Sequence, residues 1–74
     1  MLAGVEPHVT FGVNVRRQRQ RRGMSQEDLG FASGLHPTEI SRLERAVREP
    51  RLSTIVRLAR GLGVRPAELL DEIA

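Results

Sequence analysis

No cysteine occurs in this sequence, so neither a disulfide nor a thiolate metal site can prop up the fold. Histidine is nearly as scarce, and His8 and His36 are too few and too scattered for a zinc site. Lysine is missing altogether: all twelve basic residues are arginine, set against nine acids for a net charge of +3. That absence has two readings, a taste for a polyanionic partner and the base composition of a source genome, and composition does not choose between them. No apolar run reaches membrane length. The opening MLAGVEPHV lacks a basic n-region and a long apolar stretch, so it is not a secretory signal. A cytoplasmic protein without a membrane span is the expectation.

A chain of 74 residues makes one small domain that buries roughly 60% of its unfolded surface. Helix packing has to supply the stability, and a second subunit would add to it. Charge is unevenly spread. Residues 16–22 read RRQRQRR, whereas residues 66–74 carry three acids and no base. One end suits phosphate and the other does not.

Residues 1–10 show no clear period and contain Gly4 and Pro7, which predicts a flexible N-terminal arm ahead of a domain over 11–74. A helical period runs from Phe11 to Arg22, and Gly23 ends it. Ser25, followed by Gln26, Glu27 and Asp28, is a hydroxyl N-cap with acids in the first turn, opening a short helix to Ser33 that Gly34 stops. Pro37 begins a third helix to about Ala46, with Ile40 and Leu43 inward. A fourth covers about Leu52–Gly61, with Leu52, Ile55, Ala59 and Leu62 inward, and Pro66 starts a fifth whose apolar side is Leu69, Leu70 and Ile73. No segment alternates with period two. The fold class is all-α, five short helices in one compact domain.

The second and third helices carry the functional signal. Counting twenty positions from Gln26, a helix-turn-helix wants a small residue fifth, a glycine ninth, and apolar residues fourth, eighth, tenth, fifteenth and eighteenth. Gly30 and Gly34 take the first two places, and Leu29, Leu35, Ile40 and Leu43 fill four of the five apolar slots, with Ser33 in the fifth. A small fifth residue lets the helices cross closely, and the turn glycine reaches positive φ without strain. Burying the inner seam leaves the front of the third helix open to a groove.

The string G-M-S-Q-E-D-L-G-x-x-S-G-L-H-P-T-E-I-S-R-L-E-R, followed by R-E-P-R-L-S-T-I-V-R-L-A-R-G-L-G-V, resembles the Xre/Cro family of lambda-repressor-like DNA-binding domains. The resemblance covers about Phe11 to Ile73. It implies a lambda-repressor-like five-helix domain that binds double-stranded DNA sequence-specifically, as a homodimer regulating transcription, with no cofactor and no enzymatic activity. It puts Gln26 against a phosphate, which suits a positive helix N-terminus. It brings Pro37 and Thr38 to base edges, with Ser41 and Arg42 one turn later on the same exposed face. Arg42 is the strongest reader, since a guanidinium can grip guanine O6 and N7 together. Arg45 is placed for phosphate, and Arg17 joins it among the outward arginines of the first helix.

Two positions depart from the family pattern. Pro37 stands where relatives carry Gln or Arg and has no side-chain group to bond a base, leaving steric or thymine-methyl contact. Ala46 stands where a glycine is usual, which predicts a slightly longer exit from the third helix. Glu44 has two readings, acceptance of a cytosine N4 proton or a structural pair with Arg19, and the family pattern favours the pair. Glu39 suits the start of the third helix but would repel phosphate if it faced the duplex, so a sideways orientation or a role in rejecting bases is expected. His36 reads as a capping or turn residue. For Val64, Leu70 and Ile73 two readings stay open, core or dimer interface.

A chain of this length fits a restriction–modification controller or a small phage-type repressor. The alternative is the antitoxin of a toxin–antitoxin pair, whose main partner is a toxin protein and whose DNA binding is autoregulatory. In either case RRQRQRR is mostly scaffold. Arg19 and Arg22 flank the apolar face of the first helix while Arg16, Arg17 and Arg21 point outward, and the reading letters lie in PTEISR at 37–42.

Overall fold

Proline opens three of the five helices, at a position whose N–H a helix leaves unpaired anyway. The computed structural model describes residues 6–73. The elements are α1 (Pro7–Arg21), α2 (Gln26–Ser33), α3 (Pro37–Glu44), α4 (Leu52–Leu62) and α5 (Pro66–Leu69), with no strand among the described residues. The all-α, five-helix expectation holds. α1 lies across α3 and α5, while α2 packs on α3 and α4.

Phe11 and Val15 of α1, Leu29 of α2, Ile40 and Leu43 of α3, Leu58, Ala59 and Leu62 of α4, and Leu69 of α5 close one core. Leu35 packs against it from the turn between α2 and α3. At Gly30 an added Cβ would lie 2.7 Å from the Leu35 carbonyl oxygen, which is why the crossing of α2 and α3 needs a small residue there. Gly34 caps α2 at φ +73°, the left-handed region that glycine reaches without a steric penalty. Ser33, the polar residue in an apolar slot, is buried with its Oγ donating to the Leu29 carbonyl at 2.6 Å.

Several boundaries differ from those expected. Residues 7–10, assigned to the arm, form the start of α1, and residues 1–5 of that arm lie outside the described residues. The pattern hid this turn because Thr10 is the buried residue while Val9 is exposed. α3 ends at Glu44 instead of running on towards and past Ala46. Ala46 takes φ +60° in the place of the usual glycine, and its N–H donates to Leu43 O at 3.2 Å while Val47 N–H donates to Arg42 O at 2.9 Å. This is a Schellman closure built on alanine. α4 extends to Leu62, and Leu52, expected inward, is 78% exposed because the buried stripe of α4 runs out before its first turn. α5 ends at Leu69, so Leu70 and Ile73 follow the last helix rather than lying in it.

Candidate nucleic-acid interface

The N-terminus of α2 is fixed by a reciprocal cap. Asp28 N–H donates to Ser25 Oγ at 2.9 Å, and Ser25 N–H donates to Asp28 Oδ2 at 2.8 Å. The bond from the Ser25 backbone, with the Ser25 hydroxyl second, holds the Asp28 carboxyl below its ordinary range. Gln26 is thereby set as the first residue of α2, half-buried, at the positive helix end.

The start of α3 is equally closed. His36 is its N-cap, with Nδ1 accepting from Thr38 N–H at 3.1 Å, and Pro37 follows at the first helical position. With Ile40 and Leu43 fully buried, the opposite side of α3 faces out. Thr38 and Arg42 are exposed, four residues apart on one face, and Pro37 and Ser41 flank them half-buried. The structure thus brings the four anticipated base-reading residues together. The Arg42 guanidinium has no hydrogen-bond partner among the described residues, whereas Arg45 Nε donates to Ser41 Oγ at 3.1 Å. Glu39 turns sideways, its Oε1 lying 3.8 Å from Arg48 Nη1.

A charged anchor holds α3 in place. Arg19 Nε donates to Glu44 Oε2 at 2.6 Å and Arg19 Nη2 to Glu44 Oε1 at 3.0 Å, a bidentate pair between α1 and α3. Arg19 Nη1 also donates to Met24 O at 2.7 Å, and the Gln26 amide donates to Glu44 Oε1 at 3.2 Å. The Glu44 bond is the largest cause holding the Arg19 guanidinium above its usual pKa. The structural reading of Glu44 is the one the geometry supports. Gln26 belongs to the same network, a tie that its phosphate role did not anticipate.

Arg17 is not brought to this face. Its Nη2 donates to Asn14 Oδ1 at 2.7 Å, in a groove between α1 and α5 shared with Arg65, Glu68, Asp71 and Glu72. Of the other arginines in the run, Arg22 donates to its own helix at Gln18, and Arg16 and Arg21 are exposed. Sequence reasoning passed over Arg48, Arg51 and Arg57, which line a depression beside Glu39 at the start of α4. Their spacing crosses a loop without period, so no helical pattern flagged them. Leu70 and Ile73 meet in a shallow apolar groove with Pro50 and Ile55, which Val64 does not line.

A family model described as helix-turn-helix matches residues 15–69, which take in the C-terminal part of α1 and all of α2, α3, α4 and α5. The chain belongs to the helix-turn-helix family. Its branch is the Xre/Cro type of transcription regulator. This helix-turn-helix chain is 45% identical over 62 residues to control protein C.BamHI of Bacillus amyloliquefaciens, covering 82% of the chain and 76% of that protein. It is 44% identical over 57 residues to control protein C.SmaI of Serratia marcescens, covering 77% and 68%. Among solved structures, the restriction-modification controller protein C.AhdI from Aeromonas hydrophila superposes with a TM-score of 0.82 at 40% identity, over 84% of this chain and 94% of that one. No helix among the described residues is long and apolar enough to cross a membrane.

Proposed function

We propose that this helix-turn-helix regulator binds a specific double-stranded DNA site as a homodimer, with α3 in the major groove, and that it controls a restriction–modification system. The observation that carries the DNA reading is the two-sidedness of α3: Ile40 and Leu43 are fully buried while Thr38 and Arg42 are exposed. A helix anchored on one side and bare on the other is the shape a groove accepts. Arg42 reads bases, with Thr38 offering a hydroxyl or a methyl and Ser41 lying beside them. Pro37 contributes shape alone.

Gln26 and Arg45 contact phosphates on either side of the groove. Arg48, Arg51 and Arg57 extend that contact around the start of α4, where Arg51 provides no side-chain cap and leaves the helix's first N–H groups to an anion. The dimer forms through the face carrying Leu70 and Ile73, since Leu70 is exposed beside an apolar groove. Such a dimer spaces two half-sites about 10 bp apart. The controller role draws its support from two control proteins and a controller structure among the similar proteins. None of those three names supports the antitoxin alternative.

In vitro selection from random duplexes tests the reading directly. The expected product is a pair of symmetric half-sites about one helical turn apart. Recovery of no enriched sequence would sink the claim of specific binding, and a single unpaired site would sink the dimer.

A further inference from the structure

The start of α3 has spent its backbone donors. Pro37 has no N–H, Thr38 N–H goes to His36 Nδ1 at 3.1 Å, and the N–H groups of Glu39 and Ile40 both go to His36 O at 2.9 and 3.2 Å. From Pro37 through Ile40, no main-chain N–H is left free to meet a ligand. The imidazole that closes it is itself exposed and makes no other hydrogen bond.

The bond to Thr38 also fixes the chemistry of that ring. A backbone N–H can only donate, so Nδ1 presents its lone pair and the ring proton sits on Nε2. The two nitrogens point to opposite sides of the ring. With Nδ1 turned onto the helix end, Nε2–H is aimed away from it. We infer that His36, beyond capping α3, is a DNA-contacting residue whose Nε2–H donates to an acceptor on the duplex. This rests on the proposed entry of α3 into the groove.

The acceptor is a base-edge oxygen or nitrogen, or a phosphate oxygen. The assignment supplies what Pro37 lacks. Pro37 occupies a reading position with no polar side-chain atom, and the residue before it delivers a fixed donor at the same end of the helix. Neutral imidazole in this tautomer presents no outward acceptor, so it discriminates in favour of guanine O6 or N7, adenine N7 and thymine O4, and against cytosine N4–H2.

The test replaces the outward donor and keeps the cap. In His36→Ser, a hydroxyl oxygen can accept from a first-turn N–H of α3, as Ser25 Oγ accepts from Asp28 N–H in α2. The melting temperature should be retained while affinity for the selected duplex falls roughly 5- to 10-fold. If the acceptor is a base, preference at one position per half-site flattens. If it is a phosphate, selected and random duplexes weaken by the same factor and the selected sequence is unchanged. His36→Thr serves the same comparison should the serine variant not fold. A capped variant that binds and selects as the original does would overturn the inference and leave the DNA-binding reading intact. Failure of the unsubstituted protein to bind any duplex would bring down both.

Discussion

Arg19, in the last turn of α1, and Glu44, the last residue of α3, hold each other through two hydrogen bonds of 2.6 and 3.0 Å across 25 positions of chain. Their side chains are 12% and 4% exposed. Removing one partner from so dry a pair strands the other charge, so Glu44→Ala is expected to cost about 3 kcal/mol in urea denaturation. Replacing both, as Arg19→Met with Glu44→Leu, should recover most of that loss because no charge is then left unpaired. Loss of stability in the single variant with recovery in the double distinguishes an anchor from a base reader. A stable Glu44→Ala protein with altered base preference would contradict it.

Ala46 occupies a left-handed conformation at φ +60° that its Cβ disfavours. The Schellman bonds of Ala46 and Val47 hold it there. Ala46→Gly removes the steric penalty, and the gain of about 1 kcal/mol is partly offset by the greater freedom of glycine in the unfolded chain. A higher melting temperature with unchanged DNA selection is the expected result. A lower one would mean that the positive φ costs little.

Asn14 is buried at 1% exposure and spends both amide hydrogens on α5 and the turn after it, donating to Leu69 O at 3.0 Å and Asp71 O at 2.8 Å. Asn14→Ala would leave both carbonyls without these partners, at a cost of about 2 kcal/mol. Hydrogen exchange should show the loss concentrated in α5 and the residues after it, because these bonds tie that end of the chain to α1. Uniform loosening of all five helices would argue against a local clasp.

The helix-turn-helix was legible because its signals are local. Ser25, Gly30, Gly34 and Pro37 each act within a few residues of themselves, so spacing alone exposes them. The Arg19–Glu44 pair lay beyond spacing and came from the family pattern. Asn14 could not be read in this way, since its partners are 55 and 57 positions distant. The first turn of α1 escaped because burial there falls on Thr10. Arg48, Arg51 and Arg57 escaped for the opposite reason to RRQRQRR: they are sparse in sequence and gathered only by the turn into α4. Density of arginine along the chain was a poor guide to its density in space.

Asp28 gives the fold an acid-sensitive element. Its carboxyl is held below its ordinary pKa by the bonds from Ser25. A depressed folded pKa means stability that is present above the unfolded value and lost as pH falls through the folded one. In the acid range from the ordinary aspartate pKa downward, the α2 cap should therefore weaken as the carboxyl protonates. Asp28→Asn keeps an acceptor for Ser25 N–H and removes the titration. Thermal melts across that range should fall less steeply for the variant; equal slopes would assign the acid loss to other groups.

Arg42, in the last turn of α3, and Arg45, its C-cap, are three residues apart, yet their surroundings predict different losses. Arg42 is exposed with no side-chain partner among the described residues, whereas Arg45 is steered by its bond to Ser41 Oγ. Arg42→Ala should relax base choice at one position per half-site, erasing about 1–3 kcal/mol of discrimination against the wrong base. Arg45→Ala should weaken selected and random duplexes alike and lower the slope of log affinity against log salt by about one unit per subunit. Both effects are read from binding isotherms at several salt concentrations on the selected duplex and on one carrying a single base change. If Arg42→Ala lowered every affinity equally, while Arg45→Ala changed which base was preferred, the two roles would have to be exchanged. The reading edge of α3 would then lie one turn nearer its C-terminus.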